Sequence, residues 1–217
     1  MKKKILVYGS GGFGKEIVWL IDSTDEFEMV GFIDDTVNLQ GSLIVDMPVY
    51  GFDAAVIQYP EACVVIAQGN SKNRELLANK IKNVGMKLAT LIHPRTEISR
   101  RVVYGEGTVI CAGNSITVDI SMGENTQINL NCTIGHDVVM GDYCTLSPGV
   151  HISGHVHMGN RVFVGTGAVI INGSKDSPLI IEDDVVIGAS SCVTKSLKAG
   201  NTYVGIPARL VGGKLGA

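Results

Sequence analysis

From residue 102 the chain can be written in blocks of six: VVYGEG, TVICAG, NSITVD, ISMGEN, TQINLN, CTIGHD, VVMGDY, CTLSPG, VHISGH, VHMGNR, VFVGTG, AVIING. The third residue of every block is Ile, Met, Leu or Val, with Tyr104 the one exception. The register runs back to Ile98 and Ile92, breaks at "SKDSP" (residues 174–178), and resumes at Ile181, Ile187 and Val193. First positions are mostly small or β-branched, and fourth positions are often glycine. Self-similarity at a fixed short period marks a solenoid, and a period of six marks a parallel β-helix.

The pattern resembles the hexapeptide-repeat acyltransferases. That resemblance implies a left-handed β-helix of triangular section, in which three hexads make one coil. Third-position aliphatics should then fill the prism, and glycines should serve corners where positive φ is needed. Residues three hexads apart stack on adjacent coils, about 4.8 Å apart as in any sheet. This places His136 beside Gly154 and Asp137 beside His155, and makes residues 174–178 a loop extruded from a corner. "HISGHVH" looks like a metal cluster, but the same spacing puts His151 and His157 on different faces. No metal site is expected within one subunit. A zinc shared between subunits, as in a γ-class carbonic anhydrase, stays as a distant alternative.

Residues 1 to 90 read differently. "KKILVYG", "EMVGFIDD" and "ACVVIAQG" are short buried strands. "GKEIVWLIDST" and "SKNRELLANKIKNVG" are helices, the second with Ser71 as N-cap and Gly85 as stop. Alternating β and α implies a Rossmann-like parallel sheet. The first strand enters Gly9-Ser10-Gly11-Gly12-Phe13-Gly14, a GxGxxG pattern that lets backbone approach a pyrophosphate at a helix N-terminus. Asp34 and Asp35 end the next strand, where a carboxylate can take sugar hydroxyls. About 90 residues is short for a two-halved dinucleotide fold, so a nucleotide-sugar fits better than NAD. The expected organisation is thus a nucleotide-sugar-binding domain at 1–90 and a β-helix at 91–217.

Charge and cysteine content narrow the class. A net charge of −3 gives no footprint for nucleic acid or an anionic membrane. The apolar run in "MKKKILVYGSGG" is only "ILVY", too short for a signal or spanning segment, so a cytoplasmic location is expected. Five cysteines without CxxC spacing read as reduced, buried small residues.

His136 sits outward near a corner with Asp137 adjacent, and Asn129 and Asn131 in the preceding hexad. A histidine can take a proton from an attacking amine or hydroxyl, and a neighbouring carboxylate can fix its tautomer. The residues alone leave catalysis and a solvated turn close to even. The full chain, from "YGSGGFGKE" and "FIDD" through "INLNCTIGHD" to "VGIPAR", resembles the NeuD-like sugar O- and N-acetyltransferases. The resemblance implies an acetyl-CoA-dependent sugar N-acetyltransferase acting on a nucleotide-linked 4-amino sugar for surface glycans. It casts His136 as general base and Asp137 as the acid that raises its basicity. It places Asn129 in the substrate site with Gly9, Gly11, Gly12, Phe13, Gly14, Asp34, Asp35 and Gly69. It gives the thioester carbonyl to the Gly154 amide, and coenzyme contacts to Thr145, Gly154, Thr166 and Ala189. It further implies a homotrimer with sites between adjacent subunits. No cysteine is placed to act as a covalent nucleophile, so direct transfer is expected. The bacillosamine enzymes carry histidines where this chain has Phe13 and Thr145. Sialic acid O-acetylation is the alternative acceptor chemistry.

Overall fold

The computed structural model describes residues 2–211. The N-terminal sheet has the order β3-β4-β2-β1-β5-β6, built from β1 (Lys3–Tyr8), β2 (Phe27–Ile33), β3 (Leu43–Ile44), β4 (Met47–Tyr50), β5 (Cys63–Ile66) and β6 (Lys87–Leu88). All neighbours pair in parallel except β3 with β4. Ile5, Leu6 and Val7 are fully buried, as expected of a strand covered on both faces. Helices α1 (Gly12–Asp22), α2 (Phe52–Gln58) and α3 (Ser71–Asn83) complete the unit. The β3–β4 hairpin and α2 carry weak sequence signals. The hairpin turns on Val45 and Asp46, both at positive φ, without the Asn-Gly or Asp-Gly pair that marks such turns.

The cap of α3 differs from the expectation. Asn70, not Ser71, occupies the N-cap, and its Oδ1 accepts from the Asn73 amide at 3.0 Å. Ser71 is the first helical residue, and its buried Oγ has no partner among the described residues. Gly85, at φ +79, ends the helix as its lack of a Cβ allows.

From Leu91 the chain coils through three parallel faces. The first face stacks Val109–Ile110, Gln127–Ile128, Thr145–Leu146 and Phe163–Val164. The second stacks Ser115–Ile116, Thr133–Ile134, His151–Ile152 and Val169–Ile170. The third stacks Ser121–Met122, Val139–Met140 and His157–Met158. Each step up a face advances the chain by three hexads, as from Ile110 to Ile128 or Ile134 to Ile152. Third-position side chains from Ile110 to Ile170 are buried. On the third face Val156 pairs with Leu179 where an unbroken repeat would bring residue 174, so residues 174–178 are extruded between the second and third faces. Ile181, Ile187 and Val193 then refill the interior.

The expectation for the corners holds in part: Gly107, Gly113, Gly149 and Gly167 take positive φ there. Positive φ falls on the sixth position of each hexad from Gly107 to Gly167, with Asp119, Asn125, Asn131, Asp137, Tyr143, His155 and Arg161 among its holders. Fourth-position glycines answer a different need, the close approach of the next coil. A Cβ on Gly135 would lie 2.8 Å from the Gly154 nitrogen, and one on Gly165 2.5 Å from that of Ala189. Cys111, Cys132 and Cys144 are buried as expected, whereas Cys63 and Cys192 are half-buried. Among the described residues no helix is long and apolar enough to cross a membrane.

Candidate active site

The corner between the second and third faces carries His136, Asp137, Gly154 and His155. The coil bond from the His155 amide to the His136 carbonyl, 3.1 Å, fixes the stacking. His136 lies against Gly154: a Cβ there would come within 2.5 Å of Cε1 and 2.6 Å of Nε2. His136 Nδ1 and Asp137 Oδ2 are 2.7 Å apart. The hydrogen bond from His136 holds the Asp137 carboxyl below its ordinary 3.8, aided by the nearby charges of His155 and Lys175. An ionised carboxylate only accepts, so Nδ1 carries the proton and Nε2, on the Gly154 side, keeps its lone pair. The side chain of His136 is 56% exposed, open to a substrate.

The corner geometry also supplies donors. The chain turns between the fourth and sixth residues, which takes the fifth-position amide out of the coil-to-coil ladder. Among the described residues the amides of Gly154, Thr166 and Ala189 donate to no acceptor. Gly154 is on the His136 corner. Thr166 and Ala189 stack on the corner between the first and second faces, joined by the Ser190 amide to the Thr166 carbonyl at 2.8 Å. Thr145 lies on the first face, where its amide donates to Val162 and its hydroxyl is held between Arg74 and the Gly69 carbonyl, under the N-terminal unit.

The glycine turn is built for access. Gly9 adopts φ +108 against the Ala67 carbonyl, and a Cβ on Gly14 would strike the Gly9 carbonyl. Gly11 and Gly12 are exposed with nothing near a Cβ, leaving backbone open to a ligand at the start of α1. Phe13 is half-buried and packs on the core beneath the turn. Asp34 is committed internally: its Oδ2 accepts from the Ser10 hydroxyl at 2.6 Å and amide at 3.1 Å. Burial opposes its ionisation, but the Ser10 and Thr36 donors hold its carboxyl below the ordinary value. Asp35 is exposed, and accepts from Tyr8 Oη at 2.8 Å and Lys80 Nζ at 3.2 Å.

Glycine turn and histidine do not meet within one chain. The ends of the N-terminal strands abut the first face, where the Ile66 carbonyl accepts from Gln127 and the Gly69 carbonyl from Thr145. Asn129 lies beyond that face, its Oδ1 accepting from the Leu130 amide, while Leu130 packs on the N-terminal core. His136 occupies the corner where the other two faces meet. Sequence reasoning missed the residue that joins the units, Arg74. It is fully buried, and its guanidinium donates to the carbonyls of Gln68, Asn125, Tyr143 and Cys144 and to the hydroxyl of Thr145. Burial lowers it to about 10, so it stays charged at neutral pH. The available signal was its place on the 71–74–78–81 face of α3, whose other members are Ser71, Ala78 and Ile81.

Coils of three hexads with a His–Asp pair and free amides at the corners define a hexapeptide-repeat transferase. Residues 119–154 match the bacterial transferase hexapeptide family (six repeats), and residues 4–81 match the PglD N-terminal domain family. The chain is 29% identical to GDP-perosamine N-acetyltransferase of Escherichia coli O157:H7, over 94% of each chain. Its structure resembles that of WeeI from Acinetobacter baumannii AYE, at 34% identity and a TM-score of 0.91, covering 97% of this chain and 100% of that one. It also resembles PerB from Caulobacter crescentus in complex with CoA and GDP-perosamine, at 27% identity and a TM-score of 0.87, covering 96% and 97%. The chain belongs to the NeuD-like family of hexapeptide-repeat sugar acetyltransferases with a PglD-type N-terminal domain.

Proposed function

We propose that this chain transfers the acetyl group of acetyl-CoA to the amine of a nucleotide-linked 4-amino sugar, in cytoplasmic synthesis of surface-glycan sugars. The observation that carries the reading is His136 stacked on Gly154, a base and a free amide on one corner. The amine attacks the thioester carbonyl carbon while His136 Nε2 takes its proton. The Gly154 amide stabilises the oxyanion, the C–S bond breaks, and the proton passes to the departing CoA thiolate. Asp137 holds the tautomer. Burial raises the thiols of Cys111 and Cys144 to about 12 and Cys132 to about 11, which favours direct transfer over a cysteinyl intermediate.

Residues 1–90 form the nucleotide-sugar domain in this reading, with Gly9, Gly11, Gly12, Phe13, Gly14, Asp35 and Gly69 on the ligand and Asp34 bracing the turn. The C-terminal unit, expected at 91–217 and described to residue 211, is in this reading a left-handed β-helix whose Gly154, Thr166 and Ala189 amides line the coenzyme. The glycine turn and Asn129 lie by the first face, while His136 lies on the opposite corner. A homotrimer that sets one subunit's turn against its neighbour's histidine supplies the missing half. An assay with GDP-, UDP-, dTDP- and CMP-linked 4-amino sugars and acetyl-CoA tests the reading. His136→Ala should lose on the order of 10²-fold or more in kcat/KM. Activity within a few-fold of the parent removes His136 as the base.

A further inference from the structure

We propose that His136, Asp137 and His155 form a binding site for a divalent transition-metal ion, and that filling it silences the base. The spacing that separates His151 from His157 brings a different trio together. Asp137 Oδ2 lies 2.7 Å from His136 Nδ1 and 3.8 Å from His155 Nε2. The two imidazoles meet edge to face with centroids 5.0 Å apart. One ligand atom from each residue lies within 4.8 Å of the others. Tetrahedral zinc with bonds of about 2.0–2.2 Å needs ligand atoms roughly 3.4 Å apart, so side-chain rotations of about 1 Å close the set.

The chemistry of the donors fits the ion. Two imidazoles and one carboxylate suit Zn²⁺, Co²⁺ and Ni²⁺, and leave a fourth position for water. The backbone beneath is fixed by the coil bonds from Asp137 to Val118 and from His155 to His136. A cavity of about 400 Å³ adjoins Asp137 and His155 and gives the ion a hydrated approach. Asp119 on its wall adds negative charge, while Lys175 on the extruded loop opposes it and keeps the affinity moderate.

Inhibition follows from the imidazole itself. Neutral histidine has one nitrogen lone pair and one N–H. Metal on Nε2 takes the basic lone pair directly. Metal on Nδ1 moves the proton to Nε2, which then cannot accept one. Either mode leaves His136 unable to deprotonate an amine. This consequence rests on His136 being the base, whereas ion binding does not.

The test titrates Co²⁺ and Zn²⁺ into chelator-treated full-length protein, by visible d–d absorption and by calorimetry. One ion per chain is expected. His155→Asn should weaken binding at least about tenfold, and His157→Asn should leave it within twofold. In His155→Asn the Zn²⁺ concentration for half-inhibition, read against that variant's own metal-free rate, should rise at least about tenfold. Absence of a Co²⁺ spectrum and of heat, or equal affinity in the parent and His155→Asn, overturns the site. Equal Zn²⁺ inhibition of both proteins overturns the silencing. A protein that binds Co²⁺ through His155 but transfers no acetyl group from any donor refutes the transferase reading and leaves the ion site standing.

Discussion

Two corners of the β-helix carry polar groups of opposite design. At the corner between the third and first faces, fifth-position amides are capped by the next coil. Glu124 donates to Asp142, Asp142 to Asn160, and Asn160 to Asp183, at 2.8–2.9 Å. Helix α3 closes over this corner through Lys82–Glu124, Arg161–Glu75 and the buried Arg74. At the His136 corner the corresponding Gly154 amide stays free and the side chains are half-exposed. The same backbone turn thus serves stability where its amides are capped and, in the proposed reaction, chemistry where they are left open. A buried donor without a partner costs about 1–3 kcal/mol, so the open design is tolerated only beside water or a ligand.

The sharpest way to break this contrast is at Arg74. Arg74→Met leaves several buried carbonyls without a donor and should cost about 3 kcal/mol or more. Because the residue bridges the two units, denaturation should also split into separate N-terminal and β-helix transitions. Arg74→Lys keeps the charge but loses the fork, and should recover only part of the loss. Chemical denaturation followed by near- and far-UV circular dichroism checks both. A single transition with an unchanged midpoint in Arg74→Met would reduce Arg74 to a spectator.

Arg74 also marks where the sequence stopped being legible. The hexad period specified which residues point inward, and the coil of three hexads that the family resemblance implies brought His136 to Gly154 and Asp137 to His155. The glycines were visible, but their reason was not: close approach of adjacent coils has no signature separate from positive φ. On α3 the apolar residues misdirect. Leu76 is 68% exposed while Arg74 is 0% exposed, because the face that packs is set by the carbonyls of Asn125, Tyr143 and Cys144. Thr145 is drawn into the same network from far along the chain, so its burial could not be read locally. The β3–β4 hairpin was hidden for a local reason, a Val-Asp turn lacking glycine.

Two neighbouring glycines sharpen the contrast with smaller effects. Gly135→Ala places a Cβ against the Gly154 nitrogen and the Ser153 carbonyl carbon, at 2.8 and 2.9 Å. Backbone must move, so a cost of roughly 2 kcal/mol in stability is expected. Gly154→Ala instead meets the His136 ring, which can rotate away. It should lower kcat/KM by about tenfold through misplacement of the base, while stability changes by under about 1 kcal/mol. Paired melting curves and kinetics distinguish them. Equal thermal losses in both variants would mean that the corner is packed as a unit rather than open for chemistry.

The smallest effect compares two acids whose carboxyls both lie below their ordinary value. Asp184 is held down first by its two hydrogen bonds from Arg161, at 2.9 and 3.0 Å, with Lys72 adding charge. Asp137 is held down first by His136. A depressed carboxyl stabilises the fold above its unfolded pKa, and that contribution fades as pH falls through the folded value, here below 3.8. Asp184 is partly screened by solvent, so Asp184→Asn should cost at most about 1 kcal/mol at pH 7. The difference from the parent should shrink as pH falls below 3.8. Asp137→Asn should leave the pH 7 midpoint in place and lower transfer activity, because its partner is an exposed imidazole rather than a bridge between units. Urea midpoints for both variants across pH 3–7 decide whether the capped corner holds the fold while the open one serves the reaction. A pH-independent loss in Asp184→Asn would assign that residue a packing role instead.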